Sequence, residues 1–133
     1  MRPVTLIVDD LPQLRDALSR LLRTEGYEPV AVASTRQALD YLRENTPDLV
    51  ITDAIMAGKS GLVLFEEIHK DARLWDVPVI VFSAGGPEVR EAALSAGVDA
   101  YVAKDSMDWG MLRKEIIRLV GPGLPVERTG QSC

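Results

Sequence analysis

The sequence predicts an α/β fold, a doubly wound parallel sheet of five strands with five helices. Short apolar runs rich in β-branched residues alternate along the chain with segments whose apolar residues recur at helical spacing. Three of the five short runs are nearly continuous in apolar character, which is typical of central parallel strands covered on both faces. The length of 133 residues suits a single domain.

The strands are predicted at residues 4–8, 30–33, 49–52, 77–82 and 100–102. The first, third and fourth of these runs are the nearly continuous ones, so they are expected in the middle of the sheet. Because crossovers between consecutive parallel strands are right-handed, the helices between them are expected on both sides of the sheet.

The helices are predicted from apolar stripes and from residues that start or stop a helix. A leucine stripe marks the first helix, which Gly26 follows as a stop signal. Ser34 with Gln37 resembles a capping box that opens a second helix to about residue 45. Pro87 suits the first turn of the fourth helix, and Gly97 suits its end. The apolar residues of the first, third and fifth helices are Leu11, Leu14, Leu18, Leu21 and Leu22; Leu64, Phe65 and Ile68; and Leu112, Ile116, Leu119 and Val120.

Composition and charge limit the classes of function. The net charge of −5 repels phosphate backbones, so we expect no direct nucleic acid binding by this segment. No apolar run reaches about 18 residues, and neither a membrane span nor a secretory signal is predicted. The sole cysteine, Cys133, excludes a disulfide framework and fits a cytoplasmic location. Residues 1–120 are predicted to form the domain, and the Gly/Pro-rich residues 121–133 a tail or linker.

Polar residues with related chemistry follow the carboxyl ends of the predicted strands, the edge where open α/β sheets bind ligands. They are Asp9 and Asp10 after the first strand, Asp53 after the third, Ser83 after the fourth and Lys104 after the fifth. Three carboxylates at one edge repel one another, and a hard divalent cation such as Mg²⁺ relieves that repulsion. The cation also supports phosphoryl chemistry, with Asp53 as the nucleophile and with Lys104 and Ser83 holding phosphoryl oxygens.

Five motifs resemble, in their order and spacing along the chain, the receiver domain of two-component response regulators. They are Asp9-Asp10, Asp53, Ser83-Ala84 after VPVIVF, Tyr101-x-x-Lys104, and DAIMAGKSG, which is similar to the family's D-x-x-M-P-x-x-[DS]-G. The resemblance runs from about residue 5 to residue 120 and implies a flavodoxin-like strand order of 2-1-3-4-5. It also implies a phosphorylation-controlled switch, not an enzyme in the ordinary sense, that assists its own phosphorylation and dephosphorylation.

The resemblance also implies a role for each site residue. Asp53 would accept the phosphoryl group from a histidine kinase or a phosphotransfer protein. The metal ligands would be Asp10, Asp9 mainly through water, Asp53, and the backbone carbonyl of Ile55. Lys104 would pair with the phosphate, while Ser83 and Tyr101 would move as the switch. The expected partner is a downstream effector protein or effector domain. A phosphorylation-dependent homodimer is also expected, and membrane contact is not.

Two positions depart from the family pattern. Ala57 replaces a proline, which removes a restraint on φ in the loop after Asp53. Asp105 replaces the proline after Lys104, whose bond to the lysine is cis in the family. A non-proline cis bond costs about 2.5–4 kcal/mol, so a trans bond, or a cis bond under strain, is expected here, and either puts the reach of Lys104 in question.

Purely structural explanations also exist for several of the site residues. The aspartate pair fits a helix N-cap, Asp53 fits a turn, and Tyr101 fits packing on an edge strand. Their joint placement on several strands favours the functional interpretation. The alternative function is a phosphorylation-independent interaction or scaffold domain with the same fold. A phosphatase with an aspartyl nucleophile would need D-x-D after the first strand, which the sequence lacks.

Overall fold

The computed structural model describes residues 2–56, 59–104 and 109–124. The strands of its main sheet are β1 (Val4–Val8), β2 (Glu28–Val32), β3 (Leu49–Thr52), β6 (Val79–Ser83) and β7 (Ala100–Ala103). Two short strands, β4 (Ile55–Met56) and β5 (Lys59–Ser60), pair antiparallel after β3. The helices are α1 (Pro12–Thr24), α2 (Thr35–Leu42), α3 (Leu62–His69), α4 (Pro87–Ala96) and α5 (Trp109–Val120).

The main sheet is parallel throughout, in the order β2-β1-β3-β6-β7. Counted as the five strands of that sheet alone, this is the predicted order 2-1-3-4-5, and the predicted fold class is confirmed. β2 begins two residues earlier than predicted, because it is an edge strand and an edge tolerates Pro29 opposite Thr5. β6 begins only after Pro78, which has no N–H to donate.

The helices begin and end close to the predicted residues. Ser34 Oγ accepts from the Gln37 N–H at 3.1 Å, which confirms Ser34 as the N-cap of α2. Gln37 Oε1 accepts from the Ala33 N–H at 2.7 Å, one residue before the N–H that a capping box uses. Gly97 ends α4 with φ +103°. α2 stops before residue 45, at a point where the Arg73 guanidinium donates to the Leu42 carbonyl. Among the residues that the structure describes, no helix has both the length and the apolar character of a membrane span.

Two apolar cores cover the two faces of the sheet. On one face, Leu6 and Val8 pack with residues of α2, α3 and α4. On the other face, Ile7 packs with residues of α1 and α5, among them Leu22 and Ile116. Because successive strand residues point to opposite faces, one short apolar run serves both cores. The central strands are buried on both sides, and the polar residues that follow them lie at the edge of the sheet.

The residues directly after α5 lie against the turn between α1 and β2. The Tyr27 hydroxyl donates to the Gly121 carbonyl at 2.7 Å, and the Leu124 N–H donates to the Gly26 carbonyl at 3.0 Å. The chain therefore leaves α5 in contact with the domain. The rest of the predicted tail, residues 125–133, lies outside the described residues, so the tail itself stays a prediction.

The buried hydroxyl of Thr5 provides a test of packing in β1. Among the described residues, Thr5 Oγ1 is the buried side-chain polar atom without a hydrogen-bond partner. We expect Thr5→Val to raise the free energy of unfolding by about 1 kcal/mol in urea denaturation, because it removes a hydroxyl that has lost its hydration. The control is Thr52→Val, which removes a hydroxyl that donates to the Asp53 carbonyl at 3.0 Å and should lower stability by about 1 kcal/mol. Equal effects in the two variants would contradict this explanation.

Candidate functional site

The junction between β1 and α1 places Asp9 deep in the carboxyl edge of the sheet. Its side chain is buried, with 2% of the residue exposed. Its N–H donates to the Val32 carbonyl at 3.2 Å, and its Oδ1 accepts from the Leu11 N–H at 2.9 Å. Leu11 is itself the N-cap of α1, so Asp9 orders the junction before the helix and does not cap its first turn. The N-cap explanation therefore does not fit Asp9, and Asp10 follows it as the more exposed carboxylate of the pair.

Asp53 follows β3 and is also buried, with 8% of the residue exposed. Its backbone N–H donates to the Val8 carbonyl at 3.0 Å, which ties it to the end of β1. Its Oδ1 accepts from the Ile55 N–H at 3.2 Å. The carboxylate is therefore held by the backbone at one oxygen, while the other oxygen faces the centre of the site.

Lys104 occupies that centre. Its Nζ donates to Asp9 Oδ2 at 2.6 Å and to Asp53 Oδ2 at 2.8 Å, and it lies 5.8 Å from the centre of the Phe82 ring. Burial disfavours the ammonium, but hydrogen bonds and charges from Asp53 and Asp9 outweigh burial and raise the pKa of Lys104 above its ordinary 10.5. Lys104 is thus charged at neutral pH and reaches both carboxylates. Asp105 and Ala57 lie outside the described residues.

The three carboxylates form a set of ligands suited to a hard cation. One oxygen from each of Asp9, Asp10 and Asp53 can be chosen so that all three lie within 4.8 Å of one another. Against these three negative charges, the hydrogen-bonded ammonium of Lys104 supplies one positive charge. Carboxylate oxygens and residual negative charge are what Mg²⁺ prefers in proteins, so these residues fit the predicted metal. The carbonyl of Ile55 stays a prediction as a ligand.

Ser83 and Tyr101 meet at the loop after β6. Ser83 is the last residue of that strand, is 1% exposed, and accepts at Oγ from the Gly85 N–H at 3.3 Å. The half-buried Tyr101 donates its hydroxyl to the Gly85 carbonyl at 2.7 Å. The Lys104 N–H donates to the Ser83 carbonyl at 2.9 Å. A movement of Ser83 would therefore act, through Gly85, on the hydrogen bond of Tyr101. A backbone hydrogen bond also joins Ser83 to Lys104.

Two residues outside the predicted set also contact the site. Arg15 of α1 donates to the Asp9 carbonyl at 2.8 Å. Gly61, at the start of α3, lies so close to the Asp53 backbone that an added Cβ would overlap the Asp53 carbonyl oxygen. The sequence carries a signal for Arg15, because a cation in the first turn of a helix opposes the helix dipole. It carries none for the close approach of Gly61 beyond its place in the DAIMAGKSG motif.

Comparisons of sequence and of structure with known proteins both identify one family. The response regulator receiver domain model matches residues 5–116. The phosphate regulon transcriptional regulatory protein PhoB of Pseudomonas aeruginosa is 31% identical over 131 residues, which cover 94% of this chain and 57% of PhoB. The DNA-binding response regulator MtrA of Mycolicibacterium smegmatis is 34% identical over 105 residues, which cover 78% of this chain and 45% of MtrA. The chain thus spans about half the length of these relatives.

Solved structures agree with the sequence relatives. The response regulator protein TrrA of Thermotoga maritima, in complex with Mg²⁺-BeF, superposes with a TM-score of 0.78 at 33% identity, covering 88% of this chain and 98% of TrrA. A putative response regulator of Chloroflexus aurantiacus gives a TM-score of 0.84 at 27% identity, covering 90% of this chain and 98% of that one. With the family model matching most of its length, this chain belongs to the response regulator receiver domain family.

Proposed function

We propose that this domain is a phosphorylation-controlled switch in which Asp53 accepts a phosphoryl group from a histidine kinase or a phosphotransfer protein. The observation that supports this most directly is the arrangement around Asp53. Its buried carboxylate bonds Lys104 and lies beside two further carboxylates, Asp9 and Asp10. Negative ligands for a cation and a positive side chain for a phosphate thus meet at one acceptor. The scaffold alternative gives no reason for this assembly.

The transfer is a displacement at phosphorus. A carboxylate oxygen of Asp53 forms the new P–O bond while the P–N bond to the donor imidazole breaks and the ring nitrogen keeps the electron pair. Asp10, Asp53, the Ile55 carbonyl and, mainly through water, Asp9 would hold Mg²⁺, which would supply charge neutralisation at the phosphoryl oxygens. Lys104 holds one phosphoryl oxygen and the Ser83 hydroxyl donates to another. The chain assists its own phosphorylation and dephosphorylation without being an enzyme in the ordinary sense.

The loop from Ser83 to Gly85 is the segment that we propose transmits the effect of phosphorylation from the site to the surface. When the Ser83 hydroxyl moves toward the phosphoryl group, it leaves the Gly85 N–H, and Gly85 is the residue whose carbonyl Tyr101 holds. Tyr101 then changes the surface offered to a downstream effector protein or effector domain. PhoB and MtrA are named as transcriptional and DNA-binding regulators and are longer than this chain, which supports an effector outside the present segment. Cytoplasmic location and phosphorylation-dependent homodimers stay predictions.

The test is phosphorylation by a small-molecule donor. Incubated with Mg²⁺ and acetyl phosphate, the wild-type protein should gain one phosphoryl group by intact-protein mass spectrometry, and Asp53→Asn should gain none, because an amide cannot attack phosphorus. Asp48→Asn is the matched control, since Asp48 also accepts a backbone N–H, from Val4 at 2.7 Å, but lies before β3 at the other end of the sheet. It should be modified like the wild type. An unmodified wild type would favour the scaffold alternative.

A further inference from the structure

Arg15 occupies an unexpected position for a cation. It lies in the first turn of α1, whose residues Pro-Gln-Leu-Arg include no acidic side chain, and it is half-buried. The partial positive charge at a helix N-terminus disfavours a cation there, and partial burial adds a desolvation cost. A compensating interaction is needed, and the 2.8 Å hydrogen bond to the Asp9 carbonyl supplies it beside the carboxylates of the site. Arg15 is therefore stabilised in this position by its contact with the acidic site.

The bond from Arg15 completes the anchoring of Asp9. The Asp9 N–H is bonded to Val32, its Oδ1 to Leu11 and its Oδ2 to Lys104, and Arg15 takes the remaining polar group, the carbonyl. That carbonyl belongs to the peptide group that joins Asp9 to Asp10. Because a peptide group is planar, a fixed carbonyl also fixes the N–H of Asp10 and the point from which the Asp10 side chain departs. Arg15 therefore acts on Asp10 through the backbone.

We infer that Arg15 is a positioning residue for the metal site. It holds the peptide between Asp9 and Asp10 so that both carboxylates stand together before Mg²⁺ arrives. This inference rests on the proposed function in one respect, that the site binds Mg²⁺. Groups that orient metal ligands without touching the metal typically change metal affinity by about 10–100-fold when they are removed. The competing explanation is charge alone, and it predicts the opposite direction, because removing a nearby positive charge should tighten the binding of a cation.

The experiment measures Mg²⁺ affinity by isothermal titration calorimetry, with no phosphodonor present. Arg15→Met should weaken Mg²⁺ binding by about 10–100-fold. Arg15→Lys keeps the charge and one compact donor in place of the planar guanidinium, so its affinity should fall between those of Arg15→Met and the wild type. Arg20→Met is the matched control, since it removes the same charge from an exposed position of the same helix. It should bind Mg²⁺ at least as tightly as the wild type.

The melting temperature without and with Mg²⁺ separates positioning from loss of structure. For a positioning role, Arg15→Met should melt cooperatively without metal, and Mg²⁺ should raise its melting temperature less than that of the wild type. If Arg15→Met fails to fold, Arg15→Lys carries the test, and wild-type affinity in that variant would overturn the inference. Wild-type or tighter binding by a folded Arg15→Met would also overturn it, in favour of charge alone. A wild type that binds no Mg²⁺ would overturn the proposed metal site and this inference together.

Discussion

Lys104→Met is expected to lower the free energy of unfolding by about 3 kcal/mol at neutral pH without metal. The ammonium lies 2.6 Å from Asp9 Oδ2 and 2.8 Å from Asp53 Oδ2, and the residue is 8% exposed. Methionine fills much of the same volume, but it leaves two buried carboxylates facing each other without a cation. Urea denaturation of the two proteins measures the difference. Lys70→Met is the control, because the Lys70 side chain is 70% exposed in its pair with Glu67, and a surface pair contributes at most about 1 kcal/mol.

Magnesium should reverse part of this loss. In the wild type, Lys104 donates to oxygens of Asp9 and Asp53 that the proposed metal site would also use, so its removal should tighten Mg²⁺ binding by roughly tenfold, or about 1.4 kcal/mol. At 100 times its dissociation constant, a ligand stabilises the native state by about 2.7 kcal/mol. Unfolding with and without Mg²⁺ should therefore show a larger gain in the variant. Equal gains in the two proteins would mean that Lys104 and the metal do not compete for these oxygens.

The pH dependence of stability is an independent measure of how much the same ion pairs stabilise the native state. The pKa of Lys104 is raised in the native state above its ordinary 10.5, so the native state holds the proton more tightly than the unfolded state does. The stabilisation is fully present below the unfolded-state value and is lost as pH rises through the raised native value. The difference in stability between the wild type and Lys104→Met should therefore be constant near neutrality and shrink above about pH 10.5.

The site residues could be located from the sequence because of one geometric property of parallel sheets. The carboxyl ends of all parallel strands meet at one edge, so identifying the strand before Asp9, Asp53 or Lys104 is enough to place each residue there. Apolar periodicity does not determine the order of the strands in the sheet, and that order came from the family resemblance. β2 shows where pattern alone was imprecise: its first residues, Glu28 and Pro29, are in the strand because they pair with β1.

Contacts that depend on distances between elements could not be read from the sequence. The two bonds of Lys104 join residues separated by 95 and 51 positions, and no local pattern reports such distances. The β4–β5 pair has only two residues in each strand, which is too short for alternation to show. The sequence shows Arg15 as a cation in the first turn of a helix, but it does not show the bond from Arg15 to the Asp9 carbonyl.

Gly61→Ala is expected to have the largest effect among alanine substitutions in the site loops. Gly61 has φ −73°, an ordinary value, so glycine is not needed there for a left-handed conformation. It is needed because a Cβ would overlap the Asp53 carbonyl oxygen, and a main-chain atom yields less readily than the end of a flexible side chain. We expect a loss of about 3 kcal/mol of stability in urea denaturation, at the upper end for overpacking.

The same substitution should also slow phosphorylation, because the overlap can be relieved only by moving Gly61 away or by moving the backbone that carries the proposed acceptor, Asp53. Gly86→Ala is the matched control in the other site loop, where an added Cβ would meet no described atom within 4 Å. Since Gly86 is the N-cap of α4, that change should cost at most about 1 kcal/mol and leave Asp53 in place. A destabilised Gly61→Ala that is phosphorylated at the wild-type rate would mean that α3 moves instead of Asp53. Wild-type stability in that variant would show that close packing is not what requires glycine at this position.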